Sequence, residues 1–256
     1  MKRLFTLIAA AAVMSSCSLL SNIAWDPQQL ASAASKAMTA ASISDEQIIE
    51  LSAQSVTQMD NENSVDNGKY LQRLNRLLKG VSVNGLPLNF KVYKTDQVNA
   101  FACADGSIRV YSGLMDVMDD GELLAIIGHE IGHVVHQDSK NAMRKAYLAS
   151  AARDLIGSAG SVGAVSSAIL GDISEAFVNA KFSQKQEFAA DEYGFQFAID
   201  NGQNAYSMAT ALEKLVNLSN GKKASEVAQM FSSHPDSAKR AAIMRQKAVE
   251  YTAGRK

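Results

Sequence analysis

The sequence predicts an α+β fold, mainly helical, in which a small antiparallel sheet comes directly before a histidine-bearing helix. Three observations predict it. Apolar residues recur at intervals of three and four along most of the chain beyond residue 44, the period of a half-buried helix. Apolar/polar alternation is confined to residues 86–111, which marks strands. Ala, Ser and Leu are common while aromatics make up only 7%, a balance that suits helix better than sheet.

At 256 residues the chain suits one globular domain with a short appendage. Its net charge of −1, with no basic block, gives nucleic acid no footing. The start reads as a targeting segment: Lys2 and Arg3, then an apolar run from Leu4 to Met14 too short to span a bilayer. Met14-Ser15-Ser16-Cys17 resembles a bacterial lipobox, with Met14 where Leu is usual. Cys17 is therefore expected to carry lipid after removal of a signal peptide over 1–16, with an ordinary cleaved signal as the alternative. Ser18, rather than Asp, resembles the sorting pattern for the outer membrane, so the expected location is its periplasmic face. With Cys17 acylated, Cys103 is the single free thiol and no internal disulfide can form. A buried, inert Cys103 is the simpler reading, and a thiol that caps a metal the rival one.

Residues 17–43 read as a lipidated tether and lead-in, and 44–256 as the folded domain. Ser44-Asp45-Glu46-Gln47 has the form of a capping box opening a helix over 45–59. Tyr70, Leu71, Leu74, Leu77 and Leu78 mark a second amphipathic helix, stopped near Gly80. Phe90, Val92 and Tyr93 form one strand; Val98–Ala102 and Ser107–Tyr111 form two more, joined by a hairpin at Ala104-Asp105-Gly106. Further helices are predicted near 121–138, 140–155, 186–200, 205–218 and 236–253. Leu155–Gly171, uncharged and rich in Gly and Ser, reads as part of a loop over 155–182 that covers a cleft, with membrane contact as the alternative.

The chemistry lies in Gly128-His129-Glu130-Ile131-Gly132-His133-Val134-Val135-His136. Residues at i and i+4 share a helix face, so His129 and His133 can aim at one ion, with Glu130 beside it to act on a bound water. His136 cannot join both, because about 10 Å of helix rise separates it from His129. The third ligand must come from elsewhere, and Glu187 in Gln184-Lys185-Gln186-Glu187-Phe188-Ala189-Ala190-Asp191 is the candidate. Asp191, one turn on, would accept a hydrogen bond from His129 and fix its tautomer. Ala189 and Ala190 would let the two helices approach closely. His234, in Ser-His-Pro-Asp, and Arg240 both suit stabilisation of an oxyanion. An exposed acidic helix face and a simple His-Pro turn are the non-functional alternatives.

With these segments in place the chain resembles the gluzincin peptidase family of the HtpX heat-shock protease, the CAAX prenyl protease and BepA, and in particular its LoiP-like outer-membrane lipoproteins. The resemblance rests on residues 99–116, 121–139, 186–194 and 233–240, four motifs in the family's order. It implies a zincin-like catalytic domain, one Zn2+ held by His129, His133 and Glu187, Glu130 as the catalytic group and Asp191 behind the ligands. It implies that Asn99 and Ala100 start an edge strand to which an extended peptide adds, and that His234 and Arg240 lie on the substrate side. Cys103-Ala104-Asp105 departs from the Pro-Gly-Gly common in the family.

The expected function is therefore a zinc-dependent endopeptidase acting on misfolded or unassembled envelope proteins, membrane-attached through its lipid. Two rivals stand beside it: a non-hydrolytic, metal-stabilised assembly factor, and a peptidase inhibited by its own 155–182 loop.

Overall fold

The computed structural model describes residues 43–83, 85–152 and 167–254. The signal peptide at 1–16, Cys17, the tether up to residue 42, the end of the predicted helix near 140–155 and residues 155–166 of the loop lie outside them. Helix α1 (Asp45–Glu62) opens with a closed capping box: Ser44 Oγ accepts from the Gln47 N–H, and Gln47 Oε1 accepts from the Ser44 N–H. Helix α2 (Lys69–Leu77) lacks a cap at Gly68; instead Asp66 Oδ2 accepts from the backbone N–H groups of Gly68, Tyr70 and Leu71.

Three strands follow: β1 (Asn89–Tyr93), β2 (Ala100–Ala102) and β3 (Ser107–Tyr111). The sheet is mixed rather than antiparallel. Its order is β1-β3-β2, with β3 parallel to β1 and antiparallel to β2. The β2–β3 hairpin forms as the sequence predicts, but β1 pairs with the far side of β3 instead of forming a meander. That choice puts β2 at the sheet edge, where a meander would have made it central. Buried Arg109 on β3 ties the sheet to α1 through a two-pronged pair with Asp60, Nε–Oδ1 2.8 Å and Nη2–Oδ2 3.0 Å.

A short helix α3 (Ser112–Val117) leads to α4 (Asp120–Val135), which carries the histidines and begins with a second capping box between Asp119 and Glu122. Helix α4 ends at His136; Gln137 then takes a left-handed φ of 64°, and α5 (Asp138–Ala152) starts in a new direction. Part of the predicted loop is helix α6 (Ser167–Val178), followed by α7 (Gln184–Asp200), α8 (Ser207–Ser219), α9 (Ala224–Ser233) and α10 (Ser237–Ala253). No helix among the described residues is long and apolar enough to cross a membrane.

The most extensive helix contact joins α4 to α7. Its closeness depends on small residues: a Cβ at Gly194 would lie 2.5 Å from the Ala125 carbonyl oxygen, and one at Gly128 would lie 2.7 Å from Phe197 Cβ. Ala190 is fully buried at the same crossing. One apolar core runs from β1–β3 through α4 and α7 to α8 and α10; a second joins α1, α5 and α6 and contains the buried Cys103. Burial pushes the Cys103 thiol well above its usual pKa, which keeps it a thiol and a poor nucleophile.

Candidate active site

Helix α4 is buried on nearly every side, so its polar residues must find partners inside the protein. His129 donates from Nδ1 to Asp191 Oδ1 (2.9 Å), and His133 donates from Nδ1 to Asp138 Oδ2 (2.9 Å). With both Nδ1 protons committed to carboxylates, each ring when neutral presents an Nε2 lone pair, and the two Nε2 atoms face each other at 3.1 Å. Glu187 reaches the same point from α7, with Oε1 3.4 Å from His133 Nε2 and Oε2 3.8 Å from His129 Nε2.

His234, at the end of α9, joins them. Its Nδ1 lies 3.0 Å from Glu187 Oε1 and 3.3 Å from His129 Nε2. The four donors all lie within 4.8 Å of one another. Four atoms around a tetrahedral ion with bonds of about 2.0–2.1 Å are spaced about 3.3–3.4 Å apart. The donors are therefore near the spacing a zinc-sized ion requires, and opposed imidazole lone pairs with a carboxylate are the chemistry of such a site.

The surrounding charges favour a cation at this point. Burial works against a charged His133, yet hydrogen bonds with Asp138 and Glu187 raise its pKa to about 9. For His129, burial dominates and lowers the pKa. Burial opposes ionisation of Glu187, but the neighbouring His234, His133 and His129 hold its carboxyl well below the usual range. Glu130 is also buried, and its Oε1 has no hydrogen-bond partner among the described residues; His234 Nε2 stands 3.8 Å away. An unengaged carboxylate oxygen beside the donors is placed to receive a proton.

The sequence reading puts Arg240 on the substrate side. It is 2% exposed and turned inward. Its Nε and Nη2 donate to Asp191 Oδ2 (2.7 Å) and Oδ1 (2.5 Å), and Nη1 pairs with Glu187 Oε2. With both carboxylates engaging it, the guanidinium ties Asp191 and Glu187 together behind the donor cluster. His234, expected to stabilise an oxyanion, has its ring among the donors. His136 is exposed at the end of α4, apart from the cluster.

Asn99 and Ala100 do lie beside Glu130 and His234, at the edge of β2. The Ala100 N–H is taken by Asn99 Oδ1 (3.0 Å). Between this edge and Glu130 is a cavity of about 20 Å3, lined by Phe177 and Phe182 among others. Phe182 stacks on His133 with ring centroids 4.0 Å apart and an 18° tilt. Asp138 and Phe182 are the site residues that sequence reasoning misses. Asp138 sits inside the quoted family motif, but nothing in the motif signals that it folds back on His133.

A buried His-Glu-x-x-His helix, crossed by a second helix that supplies Glu187 and Asp191 behind a small sheet, defines a zincin-like metallopeptidase domain. The chain belongs to peptidase family M48, whose model matches residues 65–248. It is 40% identical over 249 residues to metalloprotease LoiP of Escherichia coli strain K12, covering 95% of each chain. It is 37% identical over 249 residues to metalloprotease YcaL of the same strain, covering 95% of this chain and 96% of that protein. It is 29% identical over 183 residues to the beta-barrel assembly-enhancing protease of Yersinia pestis, covering 65% of this chain and 36% of the relative. The protein is a metalloendopeptidase, and the non-hydrolytic reading gives way to it.

Proposed function

We propose that this metalloendopeptidase uses zinc held by His129, His133 and Glu187, and that Glu130 is its general base. The convergence of two imidazole Nε2 atoms and Glu187 beside the unengaged Glu130 oxygen carries this reading. Zinc bound there would polarise the scissile carbonyl and lower the pKa of a water toward about 7. Glu130 takes the proton of the attacking water and returns it to the leaving amine. Asp191 and Asp138 hold the two rings, and the β2 edge at Asn99 and Ala100 receives an extended peptide through main-chain hydrogen bonds once the Asn99 side chain gives up the Ala100 N–H.

We place the enzyme at the periplasmic face of the outer membrane, anchored through Cys17, with misfolded or unassembled envelope proteins as substrates. The signal anatomy of residues 1–17 supports the anchor, and the name of the Yersinia pestis relative supports the substrate class. Unfolded outer-membrane proteins should be cleaved, and a chelator should stop the cleavage. Cys17→Ala should move the enzyme from the membrane to the soluble fraction; unchanged sedimentation would remove the anchor.

A second reading, self-inhibition, is favoured by one observation. His234 fills a fourth donor position, whereas a working catalytic site keeps one open. Phe182 lines the cavity and stacks on His133, and its N–H donates to Ser233 O (3.3 Å), which ties it to the residue preceding His234. His234→Ala separates the roles in the same digestion assay. An oxyanion stabiliser would cost about 100- to 1000-fold in rate when removed. We expect instead that cleavage rises, and that Phe182→Ala raises it too; a fall in both would return His234 to the catalytic group.

A further inference from the structure

We infer that Asp138 is the positioning residue for His133, delivered to it by the left-handed turn at Gln137 and held there by Gln186. The inference rests on reading the cluster as a metal centre, and concerns how this chain builds it.

Asp138 is five residues beyond His133. On a continuing helix that residue would lie about 140° round from the histidine and point away. The chain solves this by ending α4, turning through Gln137 at φ 64° and starting α5 at Asp138. Left-handed backbone is costly for a residue with a side chain. Among the described residues only Gln137 and Asp236 adopt it, and Asp236 follows His234 by two positions. Gln137 follows His133 by four positions, so both left-handed residues lie within about one helical turn of a cluster histidine in sequence, the kind of place where strain is retained for function.

Both oxygens of the delivered carboxylate are committed. Oδ2 accepts from His133 Nδ1 (2.9 Å), and Oδ1 accepts from Gln186 Nε2 (2.6 Å). Gln186 directly precedes Glu187 and also closes the capping box of α7 with Ser183. One carboxylate therefore fixes the tautomer and angle of His133 and ties the end of α4 to the ligand-bearing first turn of α7. His129 has the matching arrangement in Asp191 and Arg240. A purely structural role, an acidic residue in the first turn of α5 favoured by the helix dipole, needs neither the His133 nor the Gln186 contact.

The test is zinc affinity, read by competition with a chromogenic chelator, together with the melting temperature of the metal-free protein. Asp138→Ala should weaken zinc binding about 10- to 100-fold. Asp138→Asn keeps an acceptor for the ring N–H without the charge and should recover part of that loss. Affinity within twofold of wild type in Asp138→Ala overturns the inference, whether or not the metal-free melting temperature falls. If Asp138→Ala does not fold, Gln186→Ala, which frees one oxygen of Asp138, should lower affinity several-fold, and no change there also overturns it. A wild-type protein that binds no zinc instead sinks the metal reading of the site, and this inference with it.

Discussion

Glu130→Gln should keep its metal and lose cleavage by roughly a hundredfold to ten-thousandfold, the range supplied by a positioned general base. The substitution is nearly isosteric, so the buried site on α4 keeps its shape. The contacts that hold the donors belong to Asp191, Asp138 and Arg240 and are untouched. What is lost is the capacity to take a proton, at a carboxylate whose Oε1 has no other engagement among the described residues. The melting temperature should hold or rise, because a buried charge is replaced by a neutral amide. Metal content by elemental analysis, turnover of an unfolded substrate and thermal melting together check the result. Loss of metal in this variant would make Glu130 a structural group, and wild-type turnover would leave the proton carrier unassigned.

How much of this was legible in the sequence depended on how local the determinants are. The capping box at Ser44 and the i, i+4 placements of His129 with His133 and of Glu187 with Asp191 follow from helix geometry, and all appear in the structure. Strand order was not legible, since β1 can pair with either hairpin partner without changing its own pattern, and the choice of β3 is set by packing. Helix α6 did leave a signal in Ile169, Ile173 and Phe177, spaced at i+4, but the Gly- and Ser-rich run before it masked the period. Asp138 was hidden for a different reason. It follows a left-handed residue that is not glycine, Gln137, and such turns carry no compositional mark. Arg240 was recognised as part of the site, but its place on α10 does not say which carboxylates it faces.

Arg240→Ala should destabilise the folded protein by about 3–5 kcal/mol, the usual result of removing one partner from a fully buried ion pair. That is a large part of the roughly 5–15 kcal/mol that holds a domain together. Asp191 and Glu187 are both fully buried, and Arg240 is the cation they share. Burial alone would raise the pKa of Asp191 above its ordinary 3.8, but the hydrogen bond from Arg240, with that from His129, brings it below. A depressed carboxyl pKa contributes stability that is complete above the unfolded value and is lost as pH falls through the folded one. The gap in melting temperature between wild type and Arg240→Ala should therefore be wide at pH 7 and begin to shrink only as pH falls below about 4, closing further as pH passes through the depressed folded value. Arg240→Lys restores the charge without the two-pronged geometry and should fall between them. The same series decides which side of the site Arg240 serves. A group that only touches substrate would lower cleavage and leave the melting curve where it was. A brace lowers both, and lowers the melting temperature even when no substrate is present.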